Sequence, residues 1–197
     1  MRVIAGSAKR TVLVAPAGQF TRPTADRVKE SLFNIISHNV PGARFLDLFC
    51  GSGGIGIEAL SRGADFAIFV DSSTEAIKAT RVNLEKTRFT SSAVLHMPIE
   101  SAMSRLVKNG HSFDIIFADP PYGRDFEVQV LKLLHDYNLL AKDGIIIIET
   151  GIEASKIEAS KDEGQTNTQQ ESQQAYFEKY EIRKYGSAML SFYKAPT

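Results

Sequence analysis

The sequence predicts an α/β fold built on a doubly wound, mostly parallel sheet of Rossmann-like type. Three observations lead there. Short apolar runs alternate with amphipathic segments from Phe45 onward, a glycine-rich stretch (DLFCGSGGIG, Asp47 to Gly56) follows the first run, and the last two runs are separated only by Gly186-Ser187. Strands alternating with helices pair in parallel, because each crossover helix returns the chain to the same edge. A two-residue turn sends it back antiparallel, so the C-terminus forms an antiparallel hairpin at the far edge of the sheet.

The elements follow in order. RVIA (2–5) and TVLV (11–14) are short β-branched runs separated by Gly6 and a basic loop, which reads as a small N-terminal β-hairpin. After Arg22-Pro23 the apolar positions Val28, Leu32, Ile35 and Ile36 recur at helical spacing, with Thr24 placed as cap and Pro41-Gly42 as terminator. Strands are predicted over 45–49, 66–70, 93–97, 113–118 and 145–149. Helices are predicted between them over 54–62, 73–86, 99–108 and 128–140. Residues 153–175 carry no large apolar residue except Ile157 and read as a mobile polar loop without a core. Residues 180–185 and 188–193 close the sheet. The expected division is an N-terminal extension over 1–22 and one main domain over 23–197.

The composition suits one soluble core, with 43% hydrophobic and 23% charged residues in 197. One cysteine excludes an intramolecular disulfide, and the four histidines have no metal-ligand spacing, so no metal is expected. The sequence shows neither a secretory signal nor a membrane span, and a cytoplasmic monomer is expected. Basic and acidic residues balance at 23 each, yet residues 1–30 hold six cations against two acids. A basic head suits phosphate contacts, although a short basic segment is also what an ordinary solvated surface looks like.

In a sheet of this kind ligands bind beyond the strand ends, where strand order reverses. Gly51 and Gly53 suit a loop that admits a ligand close to its backbone, and Asp71 ends the second strand 20 residues after Gly51, where it can accept from ribose hydroxyls. Both features suit a nicotinamide dinucleotide and S-adenosylmethionine equally. Asp47 separates the two: a carboxylate beside a pyrophosphate repels it, whereas S-adenosylmethionine carries an ammonium and a sulfonium.

Asp119-Pro120-Pro121-Tyr122 ends the fourth predicted strand on the same rim. An exocyclic base amine is a weak nucleophile because its lone pair is delocalised into the ring. Asp119 and the Pro120 carbonyl together can accept both amine hydrogens and leave the lone pair on nitrogen. The two prolines have fixed φ and hold the carbonyl in place, and Tyr122 offers a ring face for the base. The departing proton goes to Asp119 or to water.

On VIAG (Val3 to Gly6), RPTADRVKESLFN (Arg22 to Asn34), FLDLFCGSGGIGIEALSRGA (Phe45 to Ala64), DIIFADPPY (Asp114 to Tyr122) and KYGSAMLSFYK (Lys184 to Lys194), the chain resembles the bacterial 16S ribosomal RNA guanine-N2 methyltransferases. The resemblance implies a class I methyltransferase sheet. It implies that Asp47, Gly51, Ser52, Gly53, Asp71 and Ser72 line the S-adenosylmethionine site, with Thr24 and Glu30 at its methionine end. Asp119, Pro120, Pro121 and Tyr122 would hold the guanine amine, and Arg2, Lys9, Arg10, Arg22 and Arg27 would face 16S rRNA in a partly assembled small subunit. Members of that family often carry an acid beside the adenine, where this chain has Met97-Pro98-Ile99, so adenine would rest on backbone groups and Ile99. A DNA adenine-N6 methyltransferase, an NAD-dependent oxidoreductase and a non-catalytic RNA-binding protein stand as alternatives.

Overall fold

A computed structural model describes residues 1–17, 26–121, 126–151 and 176–196. Its elements are α1 (Asp26–Ile35), β1 (Arg44–Leu48), α2 (Gly54–Ser61), β2 (Phe66–Asp71), α3 (Thr74–Thr87), β3 (Ser92–His96), α4 (Ile99–Lys108), β4 (Phe113–Ala118), α5 (Phe126–Asp136), β5 (Leu140–Gly151), β6 (Glu178–Tyr185) and β7 (Ala188–Lys194). The seven strands lie in the order β3-β2-β1-β4-β5-β7-β6. Pairing is parallel from β3 through β5 and antiparallel at β5–β7 and β7–β6, as the alternation and the terminal turn predict. Among the described residues no helix is long and apolar enough to cross a membrane.

Alternation along the strands divides the core into two layers. Phe45, Phe69, Ile115, Phe117, Ile145, Ile147 and Phe192 face α1 and α2, while Leu46, Leu48, Ile68, Ile116, Ile146 and Ile148 face α4 and α5. Burial on both faces explains why β4 and β5 read as continuous apolar runs.

Most boundaries fall within two residues of those predicted. The fifth helix and the fifth strand do not: the helix spans Phe126–Asp136 instead of 128–140, and the strand runs Leu140–Gly151 instead of 145–149. Asn138 takes a left-handed φ of 47°, which ends the helix, and Leu140 already pairs with Phe113. The caps and loops predicted at Thr24 and over 153–175 lie outside the described residues.

The N-terminal hairpin is short, with a single bridge between Arg2 and Val12. The Val3, Arg10 and Leu13 amides donate across it to the Thr11, Val3 and Met1 carbonyls, and several of the remaining donors turn to α2. The Ile4 and Ala5 amides donate to the two oxygens of Glu58 at 2.8 and 3.0 Å, and the Ala8 amide donates to Ser61 Oγ at 3.0 Å. Glu58 also receives Arg62 Nε at 2.8 Å and Lys29 Nζ of α1 at 3.2 Å. Lys29 and Glu58 are both fully shielded from solvent, and the lysine completes its shell on the Arg2 carbonyl at 2.6 Å. Burial lowers the Lys29 pKa, and the Glu58 carboxylate opposes that shift.

A buried charge stripped of its partner is costly. Glu58→Ala strips the buried Lys29 of its counter-charge and leaves two backbone amides without an acceptor, and should destabilise the fold by about 3–5 kcal/mol. Urea denaturation measures this, with Glu75→Ala, which removes only an exposed partner of Lys78, costing about 1 kcal/mol or less.

Candidate active site

Strand order reverses between β1 and β4: the chain winds from β1 through β2 to β3, then crosses back to β4 and β5. Leu48 pairs with Ala118, and the Asp119 amide donates to the Leu48 carbonyl at 3.4 Å. The glycine loop and Asp119-Pro120-Pro121 therefore leave the sheet side by side.

The loop after β1 runs through left-handed backbone at Phe49 (φ 57°), Gly51 (φ 55°) and Gly53 (φ 74°). Only glycine accepts that region at low cost, so the half-buried Phe49 holds local strain next to the crevice. A Cβ on Gly51 would meet nothing within 4 Å, so the loop presents open backbone there. Gly56 is needed for a different reason. A Cβ on it would lie 2.4 Å from the Phe69 ring and 3.2 Å from Asp47 Oδ2.

Asp47 is 1% exposed, and one of its oxygens accepts the Gly56 amide at 2.9 Å. It therefore braces the start of α2 from beneath. Asp71 accepts the Gly51 amide at 2.9 Å through one oxygen and the Ser73 amide at 2.8 Å through the other, joining the glycine loop to the start of α3. A carboxylate has about four lone-pair sites, so each oxygen of Asp71 keeps capacity for a hydroxyl. Ser52 is buried and Ser72 exposed, the latter with its carbonyl 3.1 Å from His96 Nε2. Ile99 opens α4 and packs half-buried on the second core layer.

Asp119 is half-buried, Pro120 buried and Pro121 exposed. Burial, with the Glu149 carboxylate adding to it, pushes the Asp119 carboxyl up to about 8. Glu149 follows Ile148, the β5 partner of Ala118, and is 6% exposed. Asp47 is likewise raised well above the usual carboxylate range by burial, opposed by the Gly56 amide and reinforced by Asp71 and Asp119. Four carboxylates thus crowd one rim. A pyrophosphate would be repelled there, while a cationic ligand would relieve the repulsion, so the residues present fit S-adenosylmethionine. Among the described residues no group of His, Cys, Asp and Glu side chains could hold a metal ion.

Tyr122, Thr24 and Arg22 lie outside the described residues. Glu30 and Arg27 are exposed on α1, and Arg2, Lys9 and Arg10 are exposed on the N-terminal segment, Arg2 with Asp26 at 3.4 Å. Sequence reasoning passed over Glu149, although an acid ending an apolar strand is the same signal that singled out Asp71. It also passed over Thr80 and Asn83 of α3, whose side chains reach the glycine loop. Their signal is faint: two polar residues three apart on the inner face of a helix.

A family model described as "Conserved hypothetical protein 95" matches residues 1–194. "Putative rRNA methyltransferase YlbH" of Bacillus subtilis is 47% identical over 150 residues, 76% of this chain and 82% of its own. "Ribosomal RNA small subunit methyltransferase D" of Escherichia coli is 34% identical over 153 residues, 78% of this chain and 76% of its own. The solved structure of "Putative methyltransferase yhhF from Escherichia coli" matches with a TM-score of 0.77 at 29% identity, covering 99% of this chain and 97% of that one.

A carboxyl with a raised native pKa holds its proton in the folded state after the unfolded chain has lost it, so its contribution to stability falls as pH rises from about 4 to about 8. Asp119→Asn removes that loss. Thermal unfolding should show the variant gaining on the wild type between pH 5 and pH 8.5, by a few degrees at about 2–4 °C per kcal/mol. A constant offset across that range would contradict the assignment.

Proposed function

The chain belongs to the family described as Conserved hypothetical protein 95, and from that membership and the site's geometry we propose that it transfers a methyl group from S-adenosylmethionine to the exocyclic N2 amine of one guanine in 16S rRNA. The observation that carries this reading is the Asp119 amide bonded to the Leu48 carbonyl, which joins the two loops across the switch point. The relatives named as rRNA methyltransferases support the RNA substrate.

Each residue has a task in this reading. Gly51, Ser52 and Gly53 offer backbone to the cofactor, and Asp71 accepts from its ribose hydroxyls. Asp47 supplies negative potential toward the cationic end, with Ser72, Ile99, Thr24 and Glu30 around the periphery. When bound, S-adenosylmethionine supplies an electrophilic methyl on a sulfonium. Asp119 and the Pro120 carbonyl accept the two amine hydrogens and hold the nitrogen lone pair out of the ring, while Pro121 fixes the backbone and Tyr122 stacks on the base. The N–C bond would form as the methyl–sulfur bond breaks with its electron pair passing to sulfur, and one amine proton leaves to Asp119 or to water. The raised proton affinity of Asp119 makes it, once ionised, the stronger base for that proton.

Arg2, Lys9 and Arg10, on a segment fixed to α2 beside the glycine loop, form the contact to RNA phosphates, joined by Arg22 and by Arg27 of α1. So small a basic surface gives modest, salt-sensitive affinity for free RNA. A partly assembled small subunit, which offers shape as well as charge, is the better substrate, and the enzyme acts on it as a cytoplasmic monomer.

Asp119→Ala should lower methyl transfer by about 10²-fold or more while affinity for S-adenosylhomocysteine stays within a few-fold. Radiolabelled transfer to stripped 16S rRNA, assembled small subunits and duplex DNA separates the substrates. Transfer to DNA alone, or full activity in the variant, would overturn the proposal. Loss of a single N2-methylguanosine from rRNA of cells lacking the protein would identify the position.

A further inference from the structure

Two polar side chains on the inner face of α3, one turn apart, reach beneath the glycine loop. Thr80 Oγ1 donates to the Gly51 carbonyl at 3.0 Å, and Asn83 Nδ2 donates to the Ser52 carbonyl at 2.9 Å. Both residues are fully shielded from solvent. Asn83 does more. Its Oδ1 accepts the Val14 amide at 2.8 Å, and its Nδ2 donates to the Val14 carbonyl at 2.9 Å, so the side-chain amide pairs with Val14 as a neighbouring strand residue would.

Helix stability does not account for an asparagine here, since asparagine is a weak former in a helix interior. The bonds also have a direction. With the Gly51 carbonyl drawn onto α3, the Ser52 amide in the same peptide plane points away from the helix. The side of the loop that meets a ligand is thereby set from behind. Val14 anchors the far end of the segment that carries Arg2, Lys9 and Arg10, which Lys29 and Glu58 hold at its start.

We propose that Asn83 is a positioning residue: it holds the glycine loop in its cofactor-binding shape and ties that loop to the N-terminal segment, so that engaging RNA with the segment and binding cofactor in the loop favour each other. The inference rests on the reading that this loop holds S-adenosylmethionine. Linkage makes the coupling reciprocal: whatever factor the small subunit adds to cofactor affinity, cofactor adds to subunit affinity.

Calorimetric titration of S-adenosylhomocysteine into the full chain, with and without small ribosomal subunits, tests it. Asn83→Asp keeps the acceptor for Val14 but loses both donations, and should weaken S-adenosylhomocysteine by about tenfold, the scale of one or two lost buried hydrogen bonds. The KM for S-adenosylmethionine should rise in step, with kcat falling by less than KM rises. Val14→Pro removes only the donor at the half-exposed end and leaves Ser52 held. It should keep most of the intrinsic affinity yet lose the tightening that subunits produce in the wild type.

Unchanged affinity in a folded Asn83→Asp, with only thermal stability reduced, makes the residue merely structural and overturns the proposal. Subunit-induced tightening that survives in Val14→Pro, or is absent from the wild type, overturns the coupling, and this arm decides alone if the Asn83 variant does not fold. A wild type that fails to bind S-adenosylhomocysteine refutes instead the reading of the loop.

Discussion

Parallel pairing of β1 with β4 governs where chemistry takes place in this molecule. Two parallel neighbours end at the same rim, so the chain must leave both there, and the reversal of strand order between them keeps any crossover from filling the gap. The glycine loop and Asp119-Pro120-Pro121 are 66 residues apart in sequence, counted from Gly53 to Asp119. Register makes them neighbours. A slip of one residue would turn Asp47 and Asp119 to the opposite face of the sheet, away from α2 and the loop that Asp47 braces.

That register also decides the electrostatics. Asp47, Asp119 and Glu149 each stand two residues after Phe45, Phe117 and Ile147, on the strand face of the layer toward α1 and α2, and burial raises the proton affinity of both aspartates. Carboxylates brought this close resist ionisation. The repulsion is a reservoir that a cationic ligand relieves, which is why acids at the strand ends discriminate between ligands when glycines do not.

The N-terminal segment adds a second constraint. The backbone donors that its own short hairpin leaves over are taken up by Glu58 and Ser61 of α2 and by Asn83 of α3. Lys29 neutralises Glu58 from α1, so two helices and the segment meet on one carboxylate. A buried carboxylate with this many donors is strongly directional, and it keeps the basic segment in a single position beside the glycine loop.

Sequence by itself determined the element order, the parallel core and its antiparallel close, because those follow from local periodicity and from turns of two residues. It also determined the two loops, since glycines, prolines and acids at strand ends are local signals. It could not show that Asp47 reaches Gly56 from beneath, that Glu149 raises Asp119, or that Glu58 and Asn83 hold the N-terminal segment. Those contacts join residues up to 69 positions apart. A polar residue inside a helix reads as a solvated face until packing hides it, and only the tertiary structure decided which of them were buried and what they had to meet.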